Sequence, residues 1–176
     1  MTRSATSRLE NLAAAFALAL TDDLQASIEK TSAMTGGASA ALTTMLAYPG
    51  ESLDALRRVL RLTPSGAGRL IDRLVEAGMV ERQSGATDQR FIALHLTPRG
   101  TKLAERILAA RRAAARRPLT SLTAEERALF ETLLDKMLYG MTLDRERCDH
   151  ICRLCEITAC PQDICPVETA AQFSER

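Results

Sequence analysis

Tryptophan is absent from the 176 residues, and aromatic residues make up only 3% of them. Proteins that grip single-stranded nucleic acid stack its bases on aromatic rings, so a surface of that kind is excluded. Long apolar runs are missing too. The longest, Leu12 to Leu20, falls well short of the ~20 residues a bilayer-spanning helix needs, and Asp22 and Asp23 follow it closely. No membrane partner is therefore expected. The start, Met1-Thr2-Arg3, is weakly basic with no clear small-residue cleavage site after it, so a cytoplasmic protein is expected. The chain offers no His-Glu-x-x-His, no phosphate-cradling glycine loop and no Ser/His/Asp set, so it reads as a non-enzyme. Cysteine is missing from everything before Cys148, and all five cysteines crowd between Cys148 and Cys165. Such crowding is not a disulfide framework for a whole fold; in a reducing compartment it points to metal or redox chemistry.

What is present suits one globular domain with an appendage: 46% hydrophobic and 26% charged residues. The net charge of +1 hides an uneven distribution. Residues 1–50 hold 3 basic and 4 acidic side chains, residues 51–117 hold 14 and 7, and residues 118–176 hold 6 and 11. The middle third is where a polyanion would bind.

Helical spacing of Leu9, Leu12, Phe16, Leu20 and Leu24 predicts a helix over 7–31, broken at Thr35-Gly36-Gly37. A short helix over 39–47 stops at Tyr48-Pro49-Gly50, and Ser52 opens the next, with Leu53, Leu56, Val59 and Leu60 facing inward. Thr63 before Pro64 is a strong helix start, because the hydroxyl caps free amides and proline lacks only a donor that would be idle there. That helix turns Leu70, Ile71, Leu74 and Val75 inward and ends at Gly78. Two helices with a short turn between them form a helix-turn-helix. Residues 79–82 and 91–96, flanking the turn-rich 84–90, predict a β-hairpin, hence a wing. Thr97-Pro98 opens a long helix to about Arg117, ended by Pro118, and Thr123-Ala124-Glu125-Glu126 reads as a capping box for a helix through Tyr139.

In this order the stretch from Leu62 to Gly100, reading TPSGAGRLIDRLVEAGMVERQSGATDQRFIALHLTPRG after Leu62, resembles the MarR family of winged helix-turn-helix regulators. It carries the likeness of that family's recognition helix, its Gly-Met-Val-Glu-Arg strand, an Asp88-x-Arg90 wing and the Leu-Thr-Pro-x-Gly entry to the next helix. The resemblance implies a mainly α fold with a small β-hairpin wing. Residues 1–37 would be an N-terminal dimerisation helix, 38–100 the winged helix-turn-helix DNA-binding domain and 101–140 the C-terminal dimerisation helices. It implies a homodimer on a palindromic operator in double-stranded DNA, most often as a repressor, with a small-molecule or redox effector. The cysteine-rich segment, 141–176, lies outside the pattern.

The N-terminal half of a recognition helix meets base edges in the major groove. Here it offers Thr63, Ser65, Gly66, Ala67, Gly68 and Arg69, with Arg73 one turn on and on the same face as Arg69. Either arginine suits guanine or phosphate. The Gly66-Ala67-Gly68 run reads two ways, as close packing on the preceding helix or as close approach of backbone to DNA. Arg90 suits a narrow minor groove, where negative potential is enhanced; in the resembling family an acidic residue, here Asp88, braces it. Arg57, Arg58 and Arg61 read as a solvated face near phosphates. Arg111, Arg112, Arg116 and Arg117 suit either the helix C-terminus or an anionic effector.

The cysteines are spaced C-x3-C-x2-C-x4-C-x4-C. Cys152, Cys155, Cys160 and Cys165 resemble a zinc knuckle with cysteine in place of histidine, leaving Cys148 as a spare or a fifth candidate and His150 as a substitute. Two thiolates two residues apart make a half-site, and a short loop returns two more for tetrahedral closure. Three readings stay open: zinc, an iron–sulfur cluster (Cys165-Pro166 fits the ending of bacterial cluster motifs), and metal-free redox thiols. Beside the regulator stands a second class of function, a metal-dependent enzyme or an iron–sulfur or thiol redox protein on a helical scaffold.

Overall fold

The computed structural model describes residues 5–34, 37–84 and 92–174. Among these, eight helices and one hairpin follow in the order α1 (Ala5–Ser32), α2 (Ala38–Ala47), α3 (Leu53–Leu60), α4 (Pro64–Glu76), β1 (Val80–Ser84), β2 (Ile92–Leu96), α5 (Pro98–Leu119), α6 (Ala124–Met141), α7 (Arg145–Cys152) and α8 (Pro166–Ser174). The mainly helical, winged architecture expected from the sequence is what forms.

Local signals explain most boundaries. Ser52, Thr63 and Thr97 each sit in extended backbone and accept a hydrogen bond from the amide three residues on, capping α3, α4 and α5. Thr123 and Glu126 satisfy each other's backbone amides in a complete capping box for α6. Gly78 ends the recognition helix at φ 65°, a conformation glycine adopts without strain. Arg61, at φ 54°, makes the same left-handed exit from α3 without being glycine.

Two boundaries depart from expectation. The helix α5 does not stop before Pro118 but continues to Leu119, because a proline in the last turn removes only one donor. Thr120 then closes the end with its own hydroxyl on the Arg117 carbonyl, 2.7 Å. The first hairpin strand also runs further than expected, to Ser84, paired in antiparallel register from Val80↔Leu96 to Ser84↔Ile92. On the other edge of β2, Ser52 bridges Ala93 and Gly50 donates to the Leu94 carbonyl. The wing thus has a third edge that the Pro49-Gly50 turn had concealed.

The main core joins α1–α5 and the hairpin through Ile28, Leu42, Met45, Leu56, Ile71, Leu94 and Ile107. Burying each such side chain contributes about 1.5–3 kcal/mol. The amino-terminal part of α1 does not share in it: Leu9, Leu12 and Phe16 are 69%, 47% and 41% exposed. In α6 no residue is buried at all. A second, smaller core lies between α6, α7 and α8, where Cys148, Cys165, Val167 and Ala171 meet Leu138, Ile151, Cys152 and Cys160. No helix among the described residues is long and apolar enough to cross a membrane.

Candidate nucleic-acid interface and the cysteine cavity

The inner face of α4 buries Ala67, Leu70, Ile71 and Leu74, which turns the opposite face outward. On that outer face Gly66, Arg69, Asp72 and Arg73 line an open concave groove. Arg69 and Arg73 are exposed, as are Thr63 and Ser65 at the helix start. The hydroxyl of Thr63 already accepts the Gly66 amide at 3.1 Å and lies 3.4 Å from the Ser65 hydroxyl, so its first duty is the cap. The two glycines differ. A Cβ on Gly66 would meet that Thr63 oxygen at 3.0 Å, whereas one on Gly68 would meet nothing within 4 Å. Close packing therefore does not explain Gly68. Asp88 and Arg90 lie outside the described residues.

The wing is tied to the recognition helix by Arg82, whose guanidinium donates to Asp72 at 2.7 Å. Sequence reading missed this brace, because Arg82 in mid-strand and Asp72 on α4 lie ten residues apart and meet only in the fold. Of the arginines expected on a solvated face, Arg57 and Arg58 both pair with Asp54, and Arg61 lies 3.8 Å from Glu146. The late α5 arginines have partners within the chain. Arg112 binds Glu156 at 3.0 Å, Arg117 lies 3.9 Å from Asp23, and Arg111 points at the Cys155 sulfur at 3.9 Å. Of the two readings of these arginines, the anionic-effector one meets the chain's own Glu156 and Asp23 at Arg112 and Arg117.

All five cysteines are free thiols and line one cavity of about 220 Å³ with Thr43, Tyr48, Arg111 and Leu138. The helix α7 carries Cys148 and Cys152 and ends there; Cys155 follows in a turn closed by its amide on the Cys152 carbonyl, 2.8 Å. Electrostatically the thiols fall into a series, Cys148 to Cys152 to Cys155, and a neighbouring pair, Cys160 and Cys165. Hydrogen bonding from Cys152, with Arg111 and Arg153 nearby, lowers the Cys155 thiol to about 6 against its burial. Its partner Cys152 is raised by its bonds to Cys148 and Cys155, and burial beside Cys165 pushes Cys160 up to about 11. Among the described residues, no three His, Cys, Asp or Glu side chains already stand as a metal ion would require. His150, weighed as a substitute ligand, is engaged elsewhere: its Nδ1 meets the Val59 carbonyl at 2.9 Å.

That contact is one of several that fasten the segment to α2 and α3. Thr43 and Thr44 of α2 donate to the Arg153 carbonyl at 3.0 and 3.4 Å, and Gln162 donates to the Tyr48 hydroxyl at 3.1 Å.

Residues 34–90, which hold α2, α3, α4 and β1, match the model of the MarR family. Over 89 residues the chain is 36% identical to the HTH-type transcriptional repressor Rv2887 of Mycobacterium tuberculosis. Over this stretch the chain is similar to the MarR family. The aligned part is 51% of this chain and 64% of the length of that MarR relative. The crystal structure of Rv2887 superposes with a TM-score of 0.58 at 29% identity, covering 73% of this chain and 92% of that one. It has also been solved in complex with salicylic acid. The YusO protein of Bacillus subtilis superposes with a TM-score of 0.67 at 25% identity over 77% of this chain and 97% of its own. A MarR family protein from Bacillus stearothermophilus, at 24% identity, shares the fold with a TM-score of 0.69 over 81% of this chain and 99% of that one. The MarR match ends before the cysteine segment begins.

Proposed function

We propose that this protein is a transcriptional repressor that binds a palindromic operator in double-stranded DNA as a homodimer. The observation that carries the reading is the outer face of α4, where Arg69 and Arg73 flank a groove and every large apolar side chain points the other way. A helix presented like this fits the major groove, and the small Gly66 and Gly68 let its backbone come close. With few long side chains at the helix start, part of the readout falls to DNA shape and to the wing, which includes Arg90. Pairing follows from the apolar surface that this chain leaves uncovered. On α1 and α6 it exposes Leu9, Leu12, Phe16, Leu129, Leu133 and Met137, and Phe16 and Phe130 already pack edge to face across the two helices. A twofold partner would cover both and set two recognition helices about one helical turn of DNA, roughly 10 bp, apart.

The test is selection of bound fragments from random duplex DNA, followed by titration of Arg69→Ala, Arg73→Ala and Arg90→Ala on the selected site. An arginine reading guanine should cost about 1–3 kcal/mol, with relaxed preference at one position; an arginine on phosphate should lower the salt slope by about 1. Recovery of no shared half-site, or three variants with unchanged affinity and salt slope, would overturn the assignment.

A further inference from the structure

The small C-terminal core is unusual in its material. Four of its eight members are cysteines, and the rest are Val167, Ala171, Leu138 and Ile151. So little aliphatic surface cannot hold two short helices and the intervening residues in place; units of this size are ordinarily stapled by disulfides or a structural metal. The thiols here are all free.

Their arrangement shows what staple fits. Cys152 and Cys155 precede the turn that Ala159 and Cys160 close on the Glu156 carbonyl, Cys160 and Cys165 come at its end and beyond, and all four line one cavity. Between the pairs, Cys152 lies within electrostatic reach of Cys165, and Cys160 within reach of Cys155. Cys148 lines the same cavity and interacts with Cys152, but its sulfur is also engaged by Arg145 and Glu168, each at 3.6 Å.

We infer that Cys152, Cys155, Cys160 and Cys165 close on a single zinc ion that staples the C-terminal segment to the DNA-binding lobe. Tetrahedral zinc at ~2.3 Å from each sulfur needs the sulfurs within about 3.8 Å of one another, so the thiols, which do not yet stand as a metal ion requires, draw together on binding. Each thiol still protonated releases its proton to water on binding. Four thiolates and one divalent ion leave a charge of −2, and Arg111 and Arg153 beside Cys155 are placed to offset it. The closed shell leaves no open coordination position, which marks a structural site. Because Arg153 is held by Thr43 and Thr44, and Gln162 by Tyr48, the staple is transmitted to α2.

The experiment uses the full-length chain, reduced and purified without oxygen, with Zn(II) or Co(II) as the probe. Elemental analysis should give one zinc per chain after exhaustive dialysis, and Co(II) should saturate at one equivalent with the visible absorption of a tetrahedral tetrathiolate ion. Cys160→Ser should weaken metal binding by about tenfold or more, while Cys148→Ser should leave it unchanged. Iron with acid-labile sulfide in place of zinc would overturn the inference. So would a reduced chain that takes up neither ion, or Cys148→Ser losing the metal as fully as Cys160→Ser. Should Cys160→Ser fail to fold, the cobalt spectrum of the unaltered chain decides: fewer than four thiolates on the ion defeats the assignment.

Discussion

At Gly100 the motif Leu-Thr-Pro-x-Gly acquires a physical reason. A Cβ there would stand 2.0 Å from the Met79 carbonyl oxygen, where the start of α5 lies against the end of the recognition helix. The same carbonyl accepts the Thr97 amide at 3.0 Å, and the Thr97 hydroxyl donates to the Gly78 carbonyl at 2.7 Å. Gly68 is the opposite case, a glycine in the middle of a helix with open space above it. The two glycines therefore predict opposite outcomes for the same substitution. Gly100→Ala forces backbone apart and should destabilise by about 1–3 kcal/mol. Gly68→Ala should stabilise by about 0.5–1 kcal/mol through helix propensity alone. If Gly68 is small so that the backbone can approach DNA, the variant gains in thermal midpoint yet binds the selected operator more weakly. A Gly68→Ala protein that is both more stable and equally tight on DNA would remove that role.

Among the elements, α7 and α8 depend most visibly on one charged contact. Arg145 makes a two-pronged hydrogen bond to Glu168 at 2.7 and 2.9 Å, and this holds the Glu168 carboxyl below its ordinary range. Around the carboxylate lie also the Cys148 thiol and Gln172. A carboxylate depressed in the folded state adds stability that is present above its unfolded value and is lost as pH falls through the folded one. Acidification below the ordinary carboxylate range should thus loosen α8 from α7. Glu168→Gln should cost about 1 kcal/mol near neutrality, discounted because Arg145 is 37% exposed, and should flatten the acid-side slope. Hydrogen exchange of the α8 amides against pH measures this; an unchanged slope in the variant would assign the acid sensitivity to other groups.

For the molecule as a whole, the decisive feature is an 18-residue helix, α6, with nothing buried. Helices in proteins owe most of their stability to packing of an apolar face, so Leu129, Leu133 and Met137 call for a cover that this chain does not supply. Leu133→Glu places a charge on that face without touching α4 or the wing. If the proposed dimer pairs through this face, the variant should sediment as a monomer and bind the selected operator at least about tenfold more weakly, because a lone recognition helix loses the second half-site. A variant that stays dimeric with full affinity would show that α6 is covered by something else.

Much was legible in the residues alone, and the reason is locality. The Thr63-Pro64 start, the Gly78 exit and the Thr123–Glu126 box are decided within a few residues by backbone hydrogen bonding, and each forms as read. The crowding of the cysteines along the chain likewise brings all five to one cavity. What sequence could not settle depends on residues distant along the chain. Leu9, Leu12 and Phe16 have the periodicity of a core face, but periodicity marks an apolar stripe without saying what covers it, and here their own chain does not. The α5 arginines looked free for an anion until folding brought Asp23 and Glu156 to them. Pro49-Gly50 read as a simple turn, yet its far side forms the third edge of the wing. The cysteine segment read as an appendage, whereas Thr43, Tyr48 and Val59 bind it to the region of α2 and α3 across 91 to 114 residues of chain. Sequence thus determined the elements and the chemistry they carry; only tertiary packing decided which charges are cancelled, which apolar faces stay open and where the thiols meet.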